Sequence, residues 1–325
     1  MVKIGVLGAG HLGKIHIEQL LNIRTAQVIG FFDPNNENAN LAIEKFGIIR
    51  FENEDELIDA CDAIDIVTPT IFHFELAIKA IKKGKHVFIE KPIAQTSIEA
   101  EQISKMVQEA NIKCQVGHVE RFNPAFVTAK PFLQNPLFIE VHRLAQFNPR
   151  GTDVSVVFDL MIHDLDIVLS LVNSEVKRIS ASGVKVISET VDIANVRLEF
   201  GNGCVANITT SRISLKNMRK MRIFQRDAYI SIDFLNKKNE IVRIKPDSEP
   251  TSMLDFPIEL NNGIKKTITV EMPIIESTNA IRDELILFLD AIINDTPTAV
   301  SADEGSTAVK IAEEILRKIN NLFEE

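Results

Sequence analysis

The sequence predicts an α/β protein. A doubly wound parallel sheet is expected over residues 1–120. A second α/β domain on a mainly antiparallel sheet is expected over residues 121–325. Three observations carry this. Short apolar runs alternate with amphipathic stretches to about residue 118, the pattern of a parallel sheet wrapped on both faces. The first run ends in a glycine turn that opens a helical pattern. Beyond about residue 120 the runs come in near-hairpins with period-two alternation, as on a sheet with one polar face.

In order, "KIGVLGAG" reads as a buried strand and its turn, and "LGKIHIEQLLNI" as a helix with Leu12, Ile15, Leu20 and Ile23 at helical spacing. "AQVIGFFDP" is a strand stopped by Asp33-Pro34, and "ENANLAIEKFG" a helix ending at Gly47. "AIDIVTPT" and "KHVFIEKP" are strands flanking the helix "HFELAIKAIKKG". The helix "SIEAEQISKMVQEAN" and the strand "IKCQVGH" complete the first part. In the second part "ANVRLEF" and "CVANITT" flank the turn Gly201-Asn202-Gly203. "KMRIFQ", "AYISIDF" and "EIVRIK" continue the sheet, which carries the helix "FDLMIHDLDIVLSLV". Two helices close the chain, and the last begins where Ser301 and Glu304 have capping-box spacing.

Bulk properties narrow the function. A net charge of −9 argues against nucleic acid or an anionic membrane as partner. Cys61, Cys114 and Cys204 are isolated, which suggests neither a disulfide framework nor a zinc knuckle. The first residues lack a secretory cleavage pattern, and no apolar run reaches membrane-spanning length. A cytoplasmic location is the expectation.

Gly8, Gly10 and Gly13 spell G-x-G-x-x-G between a strand and a helix. There the first glycine allows the tight turn, the second the approach of a pyrophosphate, and the third close packing of helix on strand. His11 and Leu12 open the helix, whose first N–H groups would receive the phosphates. Asp33 ends the second strand, 20 residues after Gly13, and suits the two hydroxyls of an adenosine ribose. No Arg or Lys follows it within ten residues to offset repulsion of a 2′-phosphate, so NAD is expected over NADP. His16, on the first turn, reads as a surface or packing histidine.

Two further groups stand out. Glu90-Lys91-Pro92 lies at a strand carboxyl end, the edge that faces ligand in such sheets. Read alone, Lys91 is more simply a solvated lysine. Pro92 fixes the backbone after it and is a candidate for a cis bond. Asp159 and His163 are four apart on an apolar helix, so they share a face, where a carboxylate can fix the imidazole tautomer. A metal reading of His163, Asp164 and Asp166 is set aside because no second ligand cluster stands out; no metal is expected. Arg143 and Arg150 are open between pyrophosphate contacts and surface arginines.

"GAGHLGKIH", "TPTIFHFELAIKAIKKGKHVFIEKPIA", "GHVERFNPA" and "DLMIHDLD" together resemble the glucose–fructose oxidoreductase / inositol dehydrogenase / rhizopine-catabolism family, from first strand to last helix. The resemblance implies a Rossmann domain followed by an α/β domain on a large open sheet, and oxidation of a secondary hydroxyl of a sugar or polyol, or the reverse. It implies Lys91, Asp159 and His163 as the catalytic Lys, Asp and His. Thr68, Pro69, His73, Glu90 and Lys91 join the cofactor-binding set. Glu120, Arg121, Asn123 and Arg150 join Lys91, Asp159 and His163 as candidate substrate-binding residues, with Arg121 alternatively a domain-interface ion pair. It also implies a homodimer or homotetramer formed through the C-terminal sheet. Within the family, "GHVERFNPA" and "DLMIHDLDI" resemble members acting at C3 of nucleotide-linked N-acetylhexosamines, of the UDP-N-acetylglucosamine 3-dehydrogenase type.

The mechanism expected has His163 taking the hydroxyl proton, Asp159 orienting the imidazole or binding a neighbouring substrate hydroxyl, and Lys91 stabilising the alkoxide; Lys91 as the base stays open. Two alternatives also stay open: a free-sugar or inositol dehydrogenase, and a non-catalytic dinucleotide-sensing regulator. The regulator could lack Lys91 or His163, and both are present.

Overall fold

A computed structural model describes residues 1–149, 151–246, 255–259 and 262–324. The chain divides into two compact units. The first comprises Met1–Phe122 and Asn279–Glu313, and the second Asn123–Thr278 and Glu314–Glu325.

In the first unit, strands β1 (Val2–Leu7), β2 (Ala26–Phe32), β3 (Ala63–Ile66), β4 (His86–Glu90) and β5 (Cys114–Gly117) form one sheet in the order β2-β1-β3-β4-β5. Every pairing is parallel. Helices α1 (His11–Leu21), α2 (Asn36–Phe46), α3 (Glu54–Ala60), α4 (His73–Lys82) and α5 (Ser97–Ala110) connect the strands. β1 pairs with both β2 and β3, so the chain reverses its winding there, and ligand crevices form outside the carboxyl ends at such a switch point. Local chemistry sets the helix ends. Asn35 Oδ1 accepts from Asn38 N–H at the start of α2, and Gly47 ends it in the left-handed region at φ 65°. Thr96 and Glu99 form a reciprocal capping box on α5.

The second unit carries α6 (Pro124–Ala129), β6 (Phe138–Leu144), α7 (Ile162–Leu171) and strands β7 (Val176–Val184), β8 (Ile193–Phe200), β9 (Val205–Ser211), β10 (Met218–Phe224), β11 (Ala228–Asp233), β12 (Lys238–Pro246), β13 (Asp255–Glu259) and β14 (Lys265–Glu271). These build a nine-stranded sheet, β13-β14-β12-β11-β10-β6-β9-β8-β7. Among the described residues of this sheet, only β6 and β9 pair in parallel. Along β8, Ala194, Val196, Leu198 and Phe200 are buried while Asn195 and Arg197 are exposed, the alternation expected of a half-buried strand.

Two helices close the chain, α8 (Ala280–Asn294) and α9 (Ala302–Glu324). α9 starts at the expected capping box: Ser301 N–H donates to Glu304 Oε2 at 2.8 Å and Glu304 N–H to Ser301 Oγ at 3.2 Å. The compact units differ from a single division at residues 120 and 121. α8 buries Leu285, Phe288 and Leu289 in one core with Val2, Ile4, Phe31 and Phe88, so it belongs with the parallel sheet. An apolar stripe says that a helix packs, but not on which sheet.

Candidate active site

The glycine turn is built as its spacing requires. Gly8 has φ 99°, and a Cβ there would lie 2.6 Å from the Val67 carbonyl oxygen. A Cβ on Gly13 would overlap the Gly8 carbonyl oxygen, so helix and strand approach as only glycine permits. Nothing lies within 4 Å of a Cβ on Gly10, and no side chain caps α1, so the helix start presents open N–H groups. A cavity of about 490 Å³ opens here, lined by Gly8, Gly10, Phe32, Asp33, Thr68 and Pro69 among others. Asp33 Oδ2 accepts from Ala9 N–H at 2.7 Å and Oδ1 from Asn35 N–H at 2.8 Å, which fixes its carboxylate at the cavity wall. These groups fit a dinucleotide, with phosphates at the turn and a ribose at Asp33.

His11 and Leu12 open α1, and neither side chain lines this cavity. The His11 side chain is exposed and lines a separate hollow with Lys14 and Glu44, while Leu12 packs against the core. The ten residues after Asp33 do not complete its surroundings. Arg50 donates to the Asp33 carbonyl oxygen at 2.8 Å and to Asn36 Oδ1 at 2.9 Å. It arrives through a parallel bridge between Phe31 and Arg50, 17 residues beyond Asp33. A cation therefore stands beside Asp33 after all.

His73 is buried, and its ring ties two loops together. Nδ1 lies 2.9 Å from the Pro92 carbonyl oxygen and Nε2 2.8 Å from that of Thr68. Burial holds its pKa below the ordinary value despite both oxygens. Its ring is thus spent on the backbone around Thr68 and the Glu90-Lys91-Pro92 turn. The Lys91–Pro92 peptide is cis. Lys91 follows the carboxyl end of β4, half-buried, and its backbone N–H donates to Glu90 Oε2 at 3.1 Å.

His16 is no surface histidine. It is fully buried, with Nδ1 3.0 Å from Asp65 Oδ2 and Nε2 3.2 Å from Glu90 Oε1. The Phe88 ring meets it edge-on at 5.7 Å. Glu284 of α8 lies in the same cluster, fully buried, with neither carboxyl oxygen hydrogen-bonded. Burial lowers the His16 pKa, but Asp65 and Glu90 outweigh it and raise it well above the ordinary value. Burial, then repulsion from Glu90, raises Glu284 well above the usual carboxylate range. Among the described residues, ligand atoms of His16, Glu90 and Glu284 lie within 4.8 Å of one another, the spacing of a cation cluster.

In the second unit, Asp159 sits in a π-helical turn, Val157–Met161, and His163 in the first turn of α7. The expected single α-helix is therefore interrupted, and such π turns recur at functional sites. Both side chains are half-buried among buried Val157, Met161, Ile162 and Leu165. Asp164 and Asp166 are buried, and Arg143 grips Asp164 with Nε at 2.7 Å and Nη2 at 2.9 Å. That bidentate pair removes Asp164 from the metal reading and makes Arg143 neither a surface arginine nor open to a pyrophosphate. Arg150 lies outside the described residues. Glu120 is buried beside β5, and Arg121 pairs with Glu304 at 2.8 Å inside the first unit. Asn123 caps α6, accepting from Ala125 N–H at 3.1 Å and donating to the Phe234 carbonyl oxygen at 3.2 Å.

Comparison with known proteins agrees with this architecture. Residues 2–118 match the model of an oxidoreductase family with an NAD-binding Rossmann fold, and residues 135–231 the GFO/IDH/MocA C-terminal domain. A UDP-N-acetylglucosamine 3-dehydrogenase of Acidithiobacillus ferrooxidans is 39% identical over 72% of this chain and 75% of its own. A scyllo-inositol 2-dehydrogenase (NAD(+)) of Bacillus subtilis is 30% identical over 66% and 68%. A solved structure of the Acidithiobacillus ferrooxidans enzyme superposes with a TM-score of 0.89 and 32% identity, covering 100% of this chain and 99% of that one. A levoglucosan dehydrogenase in complex with NADH and levoglucosan shares the fold, with a TM-score of 0.83 at 20% identity over 98% and 97% of the two chains.

Proposed function

The chain belongs to the GFO/IDH/MocA oxidoreductase family and is a dehydrogenase, and we propose that it oxidises the C3 hydroxyl of a UDP-linked N-acetylhexosamine with NAD. The observation that carries the substrate is the 39% identity to a UDP-N-acetylglucosamine 3-dehydrogenase. For the cofactor it is the carboxylate of Asp33 on the wall of the cavity beside the glycine turn. The chemistry that NAD supplies when bound is acceptance of a hydride from the carbinol carbon.

The chain's own groups do the rest. The N–H groups at the start of α1 hold the pyrophosphate, and Asp33 accepts from the ribose hydroxyls. The Lys91 ammonium stabilises the developing alkoxide by charge and hydrogen bond. His163 takes the hydroxyl proton, and Asp159 orients the imidazole. A homo-oligomer formed through the nine-stranded sheet, located in the cytoplasm, belongs to the same reading. Among the described residues no helix is long and apolar enough to cross a membrane.

Purified protein given NAD and UDP-N-acetylglucosamine is expected to form NADH. Lys91→Ala and His163→Ala are each expected to lose turnover and keep NAD affinity. Full turnover in both would end the catalytic assignment. A second reading, an inositol dehydrogenase, is favoured by the 30% identical scyllo-inositol relative. A panel of free polyols beside UDP-sugars separates the two. Tight NAD binding with no turnover on any of them would point to a regulator. For the cofactor, Asp33→Ser is expected to lower NAD affinity and raise that for NADP, with Arg50 then facing the 2′-phosphate. An unchanged preference would remove Asp33 from that role.

A further inference from the structure

Glu90 stands one residue before Lys91 and has no part in the chemistry proposed above. It is nonetheless a buried carboxylate at the mouth of the sheet. We propose that His16 and Asp65 position Lys91 from within the sheet, acting through the carboxylate of Glu90. The proposal rests on reading Lys91 as the catalytic lysine.

The contacts form a continuous line. Asp65 on β3 lies 3.0 Å from His16 Nδ1, which fixes the ring of a residue on α1. His16 Nε2 lies 3.2 Å from Glu90 Oε1. The other oxygen, Glu90 Oε2, accepts from the Lys91 backbone N–H at 3.1 Å. Glu90 thus faces both ways: Oε1 is in ion-pair contact with the interior imidazole, without hydrogen-bond alignment, and Oε2 accepts from the lysine N–H.

The surroundings are shaped to hold that line. Gly117 on β5 pairs with Glu90, and a Cβ there would lie 2.7 Å from Glu90 Oε1. The missing side chain is the slot that the carboxylate occupies. Phe88, two residues before Glu90 on β4, packs edge-on against the His16 ring. Glu284 closes the cluster from α8.

Folding alone does not call for such a cluster. Buried charged groups are commonly replaced by apolar side chains at no loss of stability. A buried imidazole with three carboxyl groups, one of them on the backbone N–H of the lysine, is accounted for by the lysine. A small misplacement of a reacting group is costly, about 10²-fold in rate for about 1 Å. A line of contacts anchored on α1, β3 and β4 resists that displacement.

His16→Gln, Asp65→Asn and Gly117→Ala test this from three sides, the last without changing any charge. Two readouts are needed. One is kcat for NADH formation with UDP-N-acetylglucosamine, alongside KM and NAD affinity. The other needs no substrate: the acetylation rate of the Lys91 amine by acetic anhydride, relative to the exposed Lys105 of the same molecule, read by mass spectrometry. We expect kcat to fall by about tenfold to 10²-fold with NAD affinity retained. The relative labelling of Lys91 should rise severalfold. The His16→Gln/Gly117→Ala double variant should be no worse than the poorer single, as for groups acting in one line. Unchanged kcat and labelling in folded variants, with Lys91→Ala inactive, would overturn the line of contacts and leave the catalytic lysine standing. Turnover retained by Lys91→Ala would overturn the lysine reading, and labelling would still decide the contacts. A stoichiometric divalent cation in the purified protein, lost in Glu284→Gln, would also overturn the proposal, since a metal centre would then account for the cluster.

Discussion

Each unit buries a cation among carboxylates, and the two do so differently. In the second unit Arg143 meets Asp164 through two parallel hydrogen bonds, guanidinium fork on carboxylate. In the first, the single imidazole of His16 faces Asp65 and Glu90 with Glu284 behind them. Three carboxyl groups exceed one cation, so protons must make up the difference. A planar guanidinium meets one carboxylate in a fixed fork and needs nothing more. An imidazole offers two opposed nitrogens, so it can link groups on separate strands and respond when they change. The Arg143 pair is a device for packing, and the His16 cluster is a device that joins elements around Lys91.

The largest effect should come from breaking the matched pair. Arg143→Ala leaves Asp164 buried and charged, and removing one partner of such a pair costs about 3–5 kcal/mol. Chemical denaturation should show that loss. Replacing Arg143 and Asp164 together by Met and Leu should recover most of it, since the unpaired charge goes too. If Arg143→Ala were silent, the two hydrogen bonds to Asp164 would not be what holds that buried carboxylate.

The unmatched cluster should reveal itself through pH. The folded pKa of His16 lies above its unfolded value, so its contribution is complete below that unfolded value. It is lost as pH rises through the folded one. Glu284 is also raised, so the folded protein keeps a proton that the unfolded chain releases above the ordinary carboxylate range. Stability therefore drains as pH climbs from that range toward the folded value. Melting temperatures across this window should fall on the alkaline side, and Glu284→Gln should flatten the fall. An identical profile in that variant would mean that Glu284 does not carry the excess proton. Arg143 keeps its charge throughout the window and adds no slope.

The same contrast explains what could be read from the sequence. The glycine turn, Asp33 and the period-two strands were legible because their signals are local. Gly8, Gly10 and Gly13 lie on one turn, and the alternation of β8 runs within eight residues. His16 stayed open between surface and packing because nothing near it in sequence marks burial. Asp65 lies 49 residues away, and Glu284 arrives on a helix from the far end of the chain. Arg50 was missed beside Asp33 for the same reason, and Arg143 because Asp164 approaches from another element. The contact of Glu90 with His16 was hidden in the same way, since it joins α1 to β4. Periodicity gives the elements, whereas charge pairing is decided by which elements meet.

The smallest effect belongs to a third cation, which separates burial from pairing. Lys79 Nζ lies 2.6 Å from Glu54, as close as the buried pairs but partly in solvent, and 3.6 Å from Glu75. Its hydrogen bond to Glu54 lowers the pKa of that carboxyl and raises that of the lysine. Pairs in water are worth little, so Lys79→Ala should cost no more than about 1 kcal/mol, less at high salt. Glu54 and Glu75 both line the cavity beside the glycine turn. Without Lys79 they meet an incoming pyrophosphate uncompensated. NAD affinity should then drop modestly at low salt and recover as salt screens the charges. A loss equal to that of Arg143→Ala, or one indifferent to salt, would mean that distance rather than burial decides what these pairs contribute.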